Sequence, residues 1–299
     1  MANLRELRRR IRSLRSIAQV TRAMQMVAAS KMRRAQAQVL ATRPYSEKAQ
    51  QVLRHLAAQR GAQAALHPLL DVRDEVKSIG LVTITADKGL CGAYNANMAR
   101  LATRFIEQER RPVQVIAIGR RGASFAARRH WNLIAEYSDL PPQPRMLDIS
   151  PIVRTVIGAF LEGEVDEVYL GYTHFISTLS QKSMIRRLLP LRTNENSVTG
   201  LVETEETRPP AGDYIYEPDP QIILDAVLPR FTEIQIYQVV LESLASEHSA
   251  RMVAMRGATE SANDLLGNLT LTYNQERQSA ITGEMLEIAS GVEAMRHVR

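Results

Sequence analysis

From Asp219 to Arg299 the sequence carries one unbroken helical pattern, and that stretch limits what the chain can fold into. Asp219 is an N-cap residue type and Pro220 suits a first helical turn. Beyond Pro229 there is no proline, and the only glycines are Gly257, Gly267, Gly283 and Gly291. At 1.5 Å per residue, roughly 80 residues make a rod of about 120 Å. A compact domain of a 299-residue chain cannot bury such a rod. It must pair with another long helix, project into a partner, or both. Ile234, Leu241, Ala245, Met252, Met255, Ala262, Leu266, Leu269 and Tyr273 follow the alternating three- and four-residue spacing of a coiled coil. His248, Thr259 and Glu276 interrupt that seam. After Ala280 it is cleaner: Ile281, Met285, Ile288, Val292, Met295. The plainer alternative is an amphipathic helix in an ordinary core.

The partner is expected at the other end of the chain. A first helix should run from Ala2 to about Gln59, with the stripe Leu4, Leu7, Ile11, Leu14. The stripe then shifts to Ile17, Val20, Met24, Val27, and later to Met32, Ala35, Val39, so the seam is expected to drift around the helix. Pro44 should kink this helix or break it. Ala28, Ala29 and Ser30 would meet Ala245, Ser246, Ser249 and Ala250 if the two helices pair, letting the axes approach. Charge supports an antiparallel pair. Between Ala2 and Arg34 there are ten basic residues and one acid, whereas from Asp219 onward there are 11 acids and 6 bases.

Between the ends the hydrophobic period changes. Gly61–Asp74 reads as a linker. Val76–Thr85 and Val113–Ile118 read as buried strands, Leu133–Tyr137 as a short one, and Glu167–Phe175 and Ser183–Leu191 as two more. Helices are expected over Ala93–Glu109, from Gly122 to about His130, and over Ile149–Leu161. Strands alternating with helices at this spacing imply a mostly parallel sheet with helices on its faces. Glu203–Pro220 reads as an exit linker. The expected organisation is a coiled-coil helix over residues 1–60, an α/β domain over 75–205 and a second coiled-coil helix over 219–299. The fold class is α/β: a long antiparallel coiled coil of the terminal helices with an inserted Rossmann-like domain.

Candidate chemistry is sparse. The turn Asp87–Gly92 (DKGLCG) joins a strand to a helix, where α/β folds bind phosphates. It matches neither the dinucleotide nor the P-loop fingerprint, because Lys88 precedes its glycines. Gly119–Gly122 (GRRG) is equally indefinite. The bland reading of both is a tight turn that needs glycine. The six histidines are scattered, and the single cysteine, Cys91, excludes an intrachain disulfide. No run of about 18 apolar residues spans a bilayer. The Arg-rich start resembles a transit peptide, but its helical stripe continues past the usual cleavage distance. Arg8, Arg9, Arg10, Arg12 and Arg15 could line a nucleic-acid backbone. Against this, no aromatic residue occurs in the first 40 positions and the helix needs an apolar partner.

Thr21–Met32 (TRAMQMVAASKM), Ala86–Asn95 (ADKGLCGAYN), Ala245–Met255 (ASEHSARMVAM) and Ile281–Gly291 (ITGEMLEIASG) resemble the gamma subunits of F-type ATP synthases, in the same order along nearly the whole chain. The resemblance implies a non-catalytic rotor with no cofactor or metal of its own. Its shaft would turn inside a ring of alpha and beta subunits and drive catalytic sites on the beta subunits through their states. The epsilon subunit would sit against the α/β domain and the membrane c-subunit ring at the base. The location implied is peripheral, on the cytoplasmic side of a bacterial membrane. Contact positions carried over are Arg8, Arg9, Met24 and Lys31 on the first helix, and Arg251, Arg277, Gln278, Thr282 and Glu284 on the last. Met24, Met26 and Met32 would offer an adaptable apolar surface. Ile281–Val298 would want an enclosing sleeve. Cys91 would be a small buried residue and not a redox switch.

Overall fold

The computed structural model describes residues 2–59, 67–73, 75–191 and 220–297. Helix α1 spans Ala2–Gln59 and helix α5 spans Pro220–His297. Between them come β1 (Ile79–Ile84), α2 (Tyr94–Gln108), β2 (Val113–Ile118), α3 (Arg120–Arg128), β3 (Asn132–Tyr137), α4 (Met146–Leu161), β4 (Glu167–Phe175) and β5 (Gln181–Leu189). The chain divides into two compact units: Met1–Val27 with Met252–Arg299, and Ala28–Arg251.

The larger unit is built on a five-stranded sheet of order β3-β2-β1-β4-β5. β1 pairs in parallel with β2 and β4, β2 in parallel with β3, and β5 returns antiparallel along β4. β1 (IGLVTI) is buried along its whole length. That is the signature of a central strand covered on both faces, and it explains a continuous apolar run in place of alternation. Edge strand β3 does alternate, exposed with half-buried. One cluster unites Val82, Ile84, Ile116 and Ile118 from the sheet, Ile149, Ile152, Val156 and Phe160 from α4, and Leu228 to Leu241 from α5. Val39 of α1 joins it. Of the small residues expected to let the terminal helices approach, Ala28, Ala245, Ser246 and Ser249 are buried, and Ala29, Ser30 and Ala250 are half-buried.

The smaller unit is an antiparallel helix pair. Arg8 of α1 donates to the Tyr273 hydroxyl of α5 at 2.6 Å, and the Thr21 and Thr259 hydroxyls lie 2.7 Å apart. Ascending α1 thus matches descending α5. The inward positions of α5 are Met252, Met255, Thr259, Ala262, Leu266, Leu269 and Tyr273, a strict alternation of three and four. Both parts of the expected fold class are present.

Two expectations need correction. The α1 seam does not drift. Leu4, Leu7, Ile11, Leu14, Ala18, Thr21, Gln25 and Ala28 are buried or half-buried at alternating spacings of three and four, and Met32, Ala35 and Val39 follow the same spacing along the helix; Met24, beside Gln25, is also half-buried. Of Ile17, Val20, Met24 and Val27, read as the seam, Ile17, Val20 and Val27 are about half exposed and Met24 is half-buried. A helix pair at close range accepts small side chains, so Ala18 and Ala28 can occupy facing positions. Of the kink or break expected at Pro44, the break does not occur: α1 is continuous through it. The bond it removes would reach the carbonyl of Leu40, an exposed residue, where water can take its place. The Asp219 cap, most of the Glu203–Pro220 linker and the first part of the Gly61–Asp74 linker lie outside the described residues.

Candidate functional site

In an open α/β sheet, ligands bind beyond the carboxyl ends of the strands where the strand order reverses. Here that point lies between β1 and β4, and the chain's own helix α5 occupies it. Ser246 Oγ donates to the Thr173 carbonyl at 2.9 Å, and His174 Nδ1 meets Glu242 Oε2 at 2.8 Å. Tyr94 and Ser243 share a hydrogen bond of 2.7 Å between hydroxyls. Ser249 Oγ donates to the Thr178 carbonyl at 2.7 Å. Burying polar groups along α5 is costly unless they find partners; the ends of β4 and α2 and the loop after β4 supply partners for Glu242, Ser243, Ser246 and Ser249, while Gln238 Oε1 and His248 Nε2 are buried without one. The crevice is therefore a socket for a helix.

The glycine turns serve the same packing. Gly119 has φ +96°, and a Cβ there would sit 2.2 Å from the Thr85 carbonyl oxygen. A Cβ on Gly122 would approach Thr85 Oγ1 to 2.7 Å. The Gly122 N–H donates to that hydroxyl at 2.8 Å. Asp87 accepts the backbone N–H groups of Arg120 (3.0 Å) and Asp139 (3.1 Å). A carboxylate of the chain thus sits at the start of α3, where a phosphate would otherwise be favoured.

Arg251 of α5 fastens the Asp87–Gly92 turn. Its guanidinium reaches the carbonyls of Lys88 (3.3 Å) and Gly89 (3.3 Å) and pairs with Glu247 at 2.7 Å. His248 is buried, and its Nδ1 lies 3.3 Å from the same guanidinium. Arginine only donates, so Nδ1 accepts and the neutral ring carries its proton on Nε2. Burial holds the His248 pKa down to about 4, helped by the positive charges of Arg251 and Lys31. Burial also pushes Glu247 up, against the pull of Arg251. Lys31 lines a cavity of about 280 Å³ with these groups. Cys91 is buried, its thiol raised by burial, and it accepts from Asn95 Nδ2 at 3.1 Å. Among the described residues no group of histidine, cysteine and carboxylate side chains could hold a metal, and no helix is long and apolar enough to cross a membrane.

A family described as ATP synthase matches residues 3–295. The ATP synthase gamma chain of Roseiflexus castenholzii is 49% identical over 298 residues, covering 99% of each chain. That of Dehalococcoides mccartyi is 46% identical over 297 residues, covering 99% of this chain and 100% of the relative. This chain belongs to the ATP synthase gamma-chain family. Family membership makes it a subunit of an ATP synthase. Among solved structures, a chain of the Euglena gracilis mitochondrial ATP synthase rotor has the same fold, with a TM-score of 0.62 at 19% identity, covering 94% of this chain and 99% of that one.

In this gamma-chain family member the expected contact positions fall into two groups. Arg9, Arg277, Gln278, Thr282 and Glu284 are exposed, and Met24 is half-exposed. Arg8 and Arg251 are bonded within the chain, and Lys31, half-buried, lines the cavity beside Glu247, His248 and Arg251. Arg8 bonds to Tyr273, with its guanidinium 5.6 Å from the ring centre, and Arg10 pairs with Glu6 at 2.5 Å. Met32 is buried, so the methionine surface consists of Met24 and Met26 alone. Sequence reasoning missed the exposed row Ile17, Val20 and Val27. Its spacing is heptad-like but offset from the true seam, and only the seam's phase reveals it as an outer surface.

Proposed function

We propose that this chain is the rotor shaft of an F-type ATP synthase, coupling rotation of a membrane ring to conformational change at catalytic sites on the beta subunits. It would do no chemistry itself. The observation that carries the reading is the end of α5. In the register fixed by Arg8 and Tyr273, the described part of α1 reaches along α5 to about Ser279. From there to His297, α5 continues for roughly 27 Å at 1.5 Å per residue. Along that overhang Ile281, Met285, Ile288 and Val292 are exposed by 49%, 61%, 68% and 49%. Apolar rows of this kind mark interaction surfaces. An enclosing ring of alpha and beta subunits would cover this row and the second one on Ile17, Val20 and Val27.

Coupling then follows from differential contact. A shaft bearing different side chains on its different faces binds each catalytic subunit's states unequally as it turns. Only such differences can shift an equilibrium. The epsilon subunit against the α/β domain, the c-subunit ring at the base and a peripheral position on the cytoplasmic side of a bacterial membrane complete the proposal.

Reconstitution with alpha and beta subunits tests it. The full chain is expected to yield a complex whose ATP hydrolysis is coupled to rotation, while the chain alone hydrolyses no ATP. Truncation from Ile281 should weaken assembly or coupling and leave the α/β unit folded by circular dichroism. Appreciable hydrolysis by the isolated chain, or full coupling after truncation, would contradict the proposal.

A further inference from the structure

On the outer side of the sheet, α2 and α3 pack against each other and leave a groove of about 720 Å³ between them. That lies within the range of about 300–1,000 Å³ typical of small-molecule sites. Arg100 and Arg104 of α2 and Arg121, Arg128 and Arg129 around α3 line it, against one carboxylate, Glu107. Among the described residues none of the five arginines is in an ion pair. Arg100 donates to Asn97 at 3.0 Å and Arg129 lies over the Phe125 ring at 5.5 Å. Phe125 and Trp131 also line the groove, edge to face with centroids 5.3 Å apart.

We propose that this groove binds small polyphosphate anions. Like charges gathered on one concave wall repel one another and focus a positive potential in the cleft. A bound anion relieves that repulsion. The spacing fits an elongated anion better than a single phosphate. Arg100 and Arg104 are one helical turn apart, and Arg121 and Arg128 are roughly 10 Å apart along α3 at 1.5 Å per residue. Guanidinium forks match phosphate oxygens in pairs, so a chain of linked phosphates can engage both helices together. Two sources share this chemistry: an inorganic phosphate chain, and a nucleoside triphosphate whose base would meet the Phe125–Trp131 end. The groove shares the Gly89–Gly92 turn with the switch-point crevice filled by α5, but its arginines lie on and around α2 and α3, and the proposal does not depend on the rotor reading.

The experiment uses the purified full chain, which carries a single tryptophan, Trp131, inside the groove. Its emission is followed while sodium tripolyphosphate is added in one arm and ATP in the other. A saturable change is expected with half-saturation below about 1 mM, weakening as salt rises from about 0.05 to about 0.2 M. Tighter binding of ATP assigns the aromatic end to the base; equal binding assigns the site to the phosphate chain alone. Arg104→Gln and Arg128→Gln should each weaken binding about tenfold, with unchanged melting, whereas Arg154→Gln on α4, outside the groove, should not. No saturable change in either arm, or equal affinity of the double variant R104Q/R128Q and the parent, would overturn the proposal.

Discussion

The hydroxyls of Thr21 and Thr259 lie 2.7 Å apart across the helix pair. They form a polar layer in a seam whose other positions, Gln25 and Tyr273 apart, are apolar or small. Each also reaches the carbonyl one turn back on its own helix, Ile17 at 3.0 Å and Met255 at 2.8 Å. Thr21→Val removes one partner and leaves the Thr259 oxygen facing a methyl group. The expected cost is about 1 kcal/mol in denaturant unfolding. Adding Thr259→Val should recover part of that loss, because no hydroxyl oxygen is then left facing a methyl group. A double-mutant cycle reads the difference, and strict additivity would contradict the pairing.

Gly119 is the position where a side chain is least tolerable. Its positive φ and the 2.2 Å approach of a Cβ to the Thr85 carbonyl force backbone movement at the end of β1. Gly119→Ala is expected to destabilise the α/β unit by about 3 kcal/mol or more, visible as a lowered melting temperature. Gly267→Ala is the contrasting case. It lies within α5 with nothing within 4 Å of its Cβ. It should gain roughly 0.5–1 kcal/mol from helix propensity.

Arg251 and Glu247 are both nearly buried, with side chains 13% and 11% exposed. Removing one partner of such a pair strands the other charge. Arg251→Met should cost about 3 kcal/mol, and a further Glu247→Gln should restore much of it. The Lys88 and Gly89 carbonyls would still lack their donor. Faster hydrogen exchange across Asp87–Gly92 should therefore persist in the double variant.

His248 gives the larger unit a pH dependence with a definite sign. Its folded pKa is about 4, against about 6.5 in an unfolded chain. Between those values the unfolded state binds more protons. The contribution is complete above about pH 6.5 and is lost as pH falls toward 4, by at most about 3 kcal/mol. Glu247, raised by burial, acts in the opposite sense, with stability present at low pH and lost as pH rises. Comparing the parent with His248→Asn isolates the histidine. The stability difference between the two should shrink as pH drops from about 6.5 to about 4, and a constant difference would show that the ring titrates normally.

Cys91 should be inert in the folded chain. It is buried with its thiol pKa raised, and the thiolate is the reactive form. A chromogenic disulfide reagent should label it only after denaturant is added. Rapid labelling under native conditions would mean that the Asp87–Gly92 turn opens.

The elements of this fold were largely legible in the sequence, because periodicity is local. Ile79–Ile84 reads as a buried strand from its apolar run, and the length of α5 is written in its near-absence of proline. The apolar residues of its overhang, Ile281 to Val292, are likewise visible as spacing alone. What local pattern could not supply was which face meets which. The true α1 seam passes through Ala18, Thr21 and Gln25, while the larger Ile17, Val20 and Val27 face outward, and only the partner helix fixes that phase. Nor could the sequence show that α5 fills the sheet's ligand crevice, or that Arg251 belongs to the turn at Lys88 and Gly89. Those residues are more than 160 positions apart, and their contact exists only because the tertiary fold carries a C-terminal helix back across the first strand. The amino-acid order determined the helices and strands; the packing of buried polar groups against a distant edge decided what each of them is for.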